Sequence, residues 1–220
     1  MNSQADSPFT AYFSQDIKAL DKRFRRNLVN SLSGYKSVCL CGTSDPAGIH
    51  NLAIISSVFH VGAHPPLMGM LLRPPVVQRD TYENIARTGF FTLNHLHPGI
   101  THQGHQTSAR YPEEVSEFEA TGLTPLLVEG FPAPFVAESR VRIGLQVKER
   151  HHLISNSTVL VIGEVLYVSL PEAAVQEDGL IDLQATETVT VSGLDTYHVG
   201  EKLVRLSYAK PDEDLRELKD

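Results

Sequence analysis

The sequence predicts a mostly β protein, a closed or nearly closed antiparallel β-barrel with helical decorations. Three observations carry this reading. Strand-like runs recur along the chain and are joined by turn residues rather than by helices. One long amphipathic stripe occurs, and it lies near the N-terminus. Strand–helix–strand spacing is nearly absent, so a parallel sheet has no support. At 220 residues the chain can bury a sizeable core, and 41% hydrophobic with 20% charged residues is an ordinary globular composition. Read as one domain over 1–220, it divides into an N-terminal helical segment (1–33), barrel strands, a helical and loop insertion (96–133) and a charged tail (211–220).

The elements follow in order. Ile17, Leu20, Phe24, Leu28 and Leu32 recur at steps of three and four, which predicts a helix from Asp16 to Ser33 closed by Gly34. Lys18, Lys22, Arg23 and Arg26 lie off that stripe as a solvated face. Two strand-like runs flank "TSDPAG" and predict a hairpin. A third strand, "LMGMLLRP", follows the turn signals "GAHPP". Asp80 to Thr88 predicts a short helix with Asp80 as cap and Glu83 closing a capping box. "FFTLNHL" is a fourth strand. The stretch from His95 to Ala133 has little β pattern, and insertions of this length are usually functional. "RVRIGLQVK" alternates, with Val141, Ile143, Leu145 and Val147 inward. "TVLVIGEVLYVSL" is apolar on both faces and predicts a central strand, joined to the previous one through residues 149–157. The tail "KPDEDLRELKD" is peripheral.

Composition excludes several classes. A net charge of −7 argues against a nucleic-acid partner, whose backbone needs a basic face. No apolar run reaches the ~18 residues of a membrane span, and the N-terminus lacks a signal-peptide pattern. Cys39 and Cys41 point the same way on a strand and read as small reduced core residues rather than a redox or metal pair. A cytoplasmic protein is expected. No G-x-G-x-x-G opens a helix and no G-x-S-x-G elbow occurs, so neither a Rossmann domain nor a hydrolase has positive support.

The stretch "NLAIISSVFH" (Asn51 to His60) looks like the inside of a sheet yet carries an amide and two adjacent hydroxyls. One reading is a barrel-rim strand with a bulge whose serines bond nearby backbone. The other is a backbone edge with small polar side chains facing a flat polar ligand. His95, His97, His102 and His105 cluster in the insertion and raise a metal reading, a hydrolase with zinc, against a role in lining a pocket or a subunit contact.

"GIHNLAIISSVFHVGAHPPLMGMLLRP" followed by "RDTYENIARTGFFTLNHL" resembles the flavin reductase-like family of FMN-binding split barrels. The correspondence rests on Asn51-Leu52, Ser56, Pro65-Pro66, Thr81, Asn84-Ile85 and Phe91 to Asn94. "SEFEATGLTP", "APFVAESRV", "VLVIGEV", "DGLID" and "SGLDTYH" extend it to about Pro211. The resemblance implies a Greek-key six-stranded antiparallel barrel, a homodimer, and FMN as cofactor. It implies transfer of hydride or electrons from NAD(P)H to a small-molecule acceptor, with no side chain required as acid or base. Asn51, Leu52 and Ala53 would then meet the isoalloxazine ring, and Ser56 and Ser57 the ribityl chain or phosphate. Arg73, Arg79 and Thr81 would hold the phosphate, which needs cations, and Thr107 and Ser108 could add hydroxyl donors. Thr158 stands where many members carry a histidine, which favours the alternative of a flavin-binding module without turnover.

Overall fold

The computed structural model describes residues 9–74, 80–112 and 115–218. Ten strands and five α-helices occur among them. The N-terminal stripe forms two helices rather than one, α1 (Ser14–Ala19) and α2 (Lys22–Ser31). The break has a local cause. Leu20 is extended (φ −57°, ψ 146°), and the Asp21 carboxylate accepts the amides of Arg23 at 2.8 Å and Phe24 at 3.1 Å. Asp21 is thus an N-cap in mid-stripe, where the apolar periodicity alone predicts continuity.

Strands β1 (Lys36–Ser44) and β2 (His50–Ala63) form the first hairpin. Asp45 makes its turn, accepting the amides of Ala47 and Ile49 on its carboxylate. β3 (Pro66–Leu72) pairs with β2, and α3 (Asp80–Thr88) follows, ended by Gly89 at φ +76°. Asp80 opens α3 inside its first turn rather than capping it. β4 (Phe90–His95) returns beside β1. The insertion carries a 3₁₀ turn (Pro98–Ile100), α4 (Thr101–Gln106), α5 (Glu117–Thr121) and the small pair β5 (Pro125–Leu126) and β6 (Phe135–Val136). β7 (Arg142–His152) and β8 (Val159–Ser169) form the second long hairpin, and β9 (Val189–Ser192) with β10 (Thr196–Val199) extends the sheet from β1.

The ring closes as β1–β2–β3–β8–β7–β4 and back to β1, six antiparallel strands. Strands β4, β1, β2 and β3 lie in the Greek-key order, because β4 reaches β1 through the long α3 connection. β8 sits between β3 and β7, the central place its sequence predicts, but only one of its faces is buried, and Leu166 and Val168 stay exposed on the other. All six strands feed one interior cluster, which includes Cys39, Cys41, Met70, Phe91, Leu145 and Val161. A second cluster lies on the other face of β1 and β2 and joins Leu40 and Leu52 to Leu96, Ile100 and Phe118 of the insertion. Among the described residues no helix is long and apolar enough to cross a membrane.

Candidate functional site

The site begins with a fault in β2. Ser37 pairs with Val58, but Cys39 pairs with Ile55, so β2 holds one extra residue around Ser56 and Ser57. That is a β-bulge, which bends a strand and disrupts pairing. On the opposite side, β3 pairs with β2 only from Val58 onward. From Leu52 to Ser57 the outer edge of β2 therefore has no strand partner among the described residues. Antiparallel alternation turns the peptide groups of Leu52 and Ile54 toward that edge. The Leu52 amide is taken by Glu117, whose Oε2 accepts it at 3.0 Å, and Ser116 donates to the His50 carbonyl at 2.8 Å. The start of α5 thus clamps the start of the edge and leaves the Ile54 peptide to face outward. The bulge of the first reading is present and opens the edge, but the serines bond no nearby backbone among the described residues.

The Asn51 amide is nearly buried, at 8% exposure. Its Nδ2 donates to Thr43 Oγ1 at 3.3 Å and to Thr81 Oγ1 at 3.0 Å. Asn84 Nδ2 donates to the same Thr43 hydroxyl at 3.2 Å. This network ties α3 to the first hairpin. Asn51 also lines a small cleft of about 70 Å³ beside Asn84, Asp80, Glu83 and Glu117. Burial, ahead of the repulsion from Asp80, raises the Glu117 carboxyl above the usual carboxylate range, against the lowering effect of the Leu52 amide.

The other candidates divide. Leu52 has its side chain fully inside the second cluster, so only its backbone reaches the edge. Ala53, Ser56 and Ser57 are half-buried along it, and neither serine hydroxyl has a hydrogen-bond partner among the described residues. Val58 with Met70 is the last β2–β3 pair, β3 continues to Leu72 against β8, and Arg73 follows it, exposed. Arg79 lies outside the described residues. Thr81 is buried within the amide network. Thr107 is buried and donates to the Gly104 carbonyl at 2.8 Å, ending α4, while Ser108 is exposed.

The histidines disperse. His95 Nδ1 lies 3.1 Å from Thr188 Oγ1, His97 Nε2 lies 3.1 Å from the Glu138 carbonyl, and His105 Nδ1 lies 2.7 Å from the Tyr197 hydroxyl. Burial lowers the His95 pKa to about 4. Among the described residues no three His, Cys, Asp or Glu side chains converge as a metal cage requires. The sequence cluster is therefore a structural set of separate contacts, and the zinc-hydrolase reading loses its geometry. Cys39 and Cys41 are buried free thiols, and burial pushes Cys39 up to about 12 and Cys41 higher still. Thr158 is fixed by Asn156, which accepts both its amide and its hydroxyl, at 3.1 and 2.7 Å.

Sequence reasoning missed Thr43, Asn84 and Glu117 as parts of this site. Asn84 did leave a signal, because Thr81, Asn84 and Ile85 share one helical face and two of the three are polar.

A model of the flavin reductase like domain matches residues 34–188. The chain is similar to a protein from Shewanella frigidimarina described as a flavin reductase with a split barrel domain. The identity is 53%, over 91% of this chain and all of that one, at a TM-score of 0.88. It is similar to nitrilotriacetate monooxygenase component B from Bacillus cereus at 23% identity, 89% and 99% coverage and a TM-score of 0.78. It is also similar to flavoredoxin of Desulfovibrio vulgaris at 25% identity, 78% and 91% coverage and a TM-score of 0.68. With its closed barrel and matching length, the chain belongs to the flavin reductase-like family, and its chemistry is flavin-linked oxidoreduction.

Proposed function

We propose that the protein is an FMN-binding oxidoreductase that passes reducing equivalents from NAD(P)H to a small-molecule acceptor and works as a homodimer. The observation that carries the reading is the open edge of β2, with an outward peptide at Ile54 and two unpartnered hydroxyls at Ser56 and Ser57. An orphan edge of this kind is costly unless something pairs with it. A planar heterocycle with alternating ring carbonyls and nitrogens satisfies it.

Charge sets the direction of the ligand. The Asn51 end is lined by Asp45, Asp80, Glu83 and Glu117 with Arg87 among them, and the four carboxylates outweigh that cation and disfavour a phosphate. Arg73 directly follows β3 and Arg79 comes after it in sequence as a second cation, so we assign the phosphate to the Ser56–Ser57 end. The six steps from Asn51 to Ser57 span about 20 Å at ~3.3 Å per residue, the scale of a tricyclic ring carrying a phosphorylated five-carbon chain. Asn51, the Leu52 and Ala53 backbone and Ile54 would hold the ring, while Ser56, Ser57 and Arg73 would hold the ribityl phosphate. Ser108 is a peripheral donor in this arrangement. When bound, the flavin supplies hydride and single-electron chemistry. The protein's residues supply a rigid shelf, orientation and exclusion of water.

Titration of the purified protein with FMN, read by quenching of flavin fluorescence, tests the proposal. Saturable quenching is expected, and Asn51→Leu should weaken it more than Arg26→Ala on α2. Absence of quenching, or equal affinity in the two variants, rules against it. A second reading, a flavin-binding module without turnover, is favoured by the Thr158 turn, whose side chain is committed to Asn156. Oxidation of NADH or NADPH with FMN present supports the enzyme, and tight FMN binding without oxidation supports the module.

A further inference from the structure

We propose that Arg150, His152 and Tyr82 form a receptor for the 2′-phosphate of the reductant, so that the protein takes its electrons from NADPH rather than NADH. The proposal rests on the flavin reading above and deepens it by naming the electron donor. It starts from the way the β7–β8 hairpin outruns the barrel. The pairing of β4 with β7 reaches Phe90 and Gln146, and from Glu149 to His152 β7 pairs with β8 alone among the described residues. Val147 pairs with Gly163 and Glu149 with Ile162, so Lys148 is an extra residue that bends the strand. After this bulge Arg150 pairs with Val161 and His152 with Val159, both buried. Paired residues share a face of a sheet. Arg150 and His152 therefore lie on the barrel side of the hairpin, and Glu149 and His151 on the other.

Charge divides between the two faces. On the outer one His151 Nε2 lies 2.7 Å from Glu149 Oε2, and the bulge residue Lys148 is paired with Glu164. On the barrel side Arg150 is exposed and makes no ion pair among the described residues. The Tyr82 hydroxyl reaches the same face from α3, 3.4 Å from His152 Nε2, with the two rings edge to face. A guanidinium, an imidazole and a phenol on one uncompensated face are a donor set for a phosphate monoester, and the guanidinium adds a bidentate fork. The acids of α3 lie elsewhere, since Asp80 and Glu83 line the Asn51 cleft and Tyr82 does not. The place also suits the far end of a dinucleotide. Thr81, next to Tyr82, holds Asn51 at the ring end of the β2 edge. A nicotinamide stacked on the flavin there directs its adenosine end past α3 to the hairpin, away from the FMN phosphate at Ser56 and Ser57.

The 2′-phosphate alone distinguishes NADPH from NADH, and adenosine 2′,5′-bisphosphate from adenosine 5′-monophosphate. Dissociation constants of the two adenosine nucleotides are measured with FMN present, and kcat/KM is measured for NADPH and NADH. Wild type should favour the 2′-phosphorylated member of each pair by roughly ten- to hundredfold, the scale of one charge-assisted hydrogen bond. Arg150→Ala should abolish both preferences, and Tyr82→Phe, which removes only the hydroxyl, should reduce them. His151→Ala, on the outer face, should keep them. A wild type without preference, or a preference that Arg150→Ala leaves whole, overturns the receptor and leaves the flavin reading standing. Arg150→Ala that weakens binding of FMN but not of riboflavin assigns the site to the cofactor's phosphate and overturns it too. Failure to oxidise either nucleotide, with no FMN bound, overturns the functional reading itself.

Discussion

Glu117 is the residue where local physics and the site meet most directly. Its carboxylate accepts the Leu52 amide and so closes one end of the open edge, yet burial holds its pKa above the ordinary range. A carboxyl whose folded pKa is raised contributes stability that is present below its unfolded pKa and fades as pH rises through the folded one. Glu117→Gln keeps an oxygen for the Leu52 amide and removes the buried charge. Its stability at neutral pH should match or exceed that of the wild type, and the loss between mildly acid and neutral pH should flatten. Glu117→Leu strands the amide and should cost about 1–3 kcal/mol. Urea unfolding at both pH values decides, and Gln costing as much as Leu at neutral pH would show that the clamp needs its charge. None of this was legible from the sequence. Glu117 stands 65 positions from Leu52, in an insertion whose turn residues carry no periodicity. Asn51, by contrast, was legible, because an amide inside an apolar strand is costly unless something satisfies it.

At the scale of elements, the barrel was readable because alternation and turn chemistry are local. β7 shows it, with Ile143 and Leu145, and Val141 just before the strand, buried as the alternation requires. The two N-terminal helices show the limit, since the apolar stripe continued across a cap that a single Asp21 imposed. The β6 strap shows another limit, because its docking depends on contacts from distant parts of the chain. Thr92 Oγ1 donates to the Pro134 carbonyl at 2.7 Å, and the Val136 amide donates to Asn94 Oδ1 at 3.0 Å. The strap comes so close to β1 that a Cβ on Gly42 would sit 2.2 Å from the Pro134 oxygen and 2.6 Å from Thr92 Oγ1. The first contact is backbone and cannot swing aside. Gly42→Ala should therefore lift the strap and cost about 1–3 kcal/mol or more, by overpacking and loss of the Thr92 bond. A melting temperature unchanged from wild type would show that the strap yields freely.

On the whole molecule, the two ends of the chain leave apolar surface that the barrel does not cover. α1 and α2 bury no residue, and Phe13 and Leu32 stay 74% and 71% exposed. Leu203 and Tyr208 of the C-terminal arm stay 95% and 88% exposed. Scattered apolar residues on a surface need no cause, but an amphipathic helix whose apolar stripe faces water does. Burying each large apolar side chain is worth about 1.5–3 kcal/mol, so a few from each arm offset an association cost of roughly 4–15 kcal/mol. A second copy of the chain is the partner this favours, because a twofold pairing uses both arms twice and covers each stripe with the other subunit. In sedimentation the full chain should then run at twice its 24.3 kDa. Removal of residues 1–33 should shift it toward the monomer while the barrel, whose six strands begin at Lys36, keeps its far-ultraviolet signature. A full chain that sediments as a monomer at micromolar concentration, or a truncated one that stays dimeric, would mean the arms cover something other than a second copy.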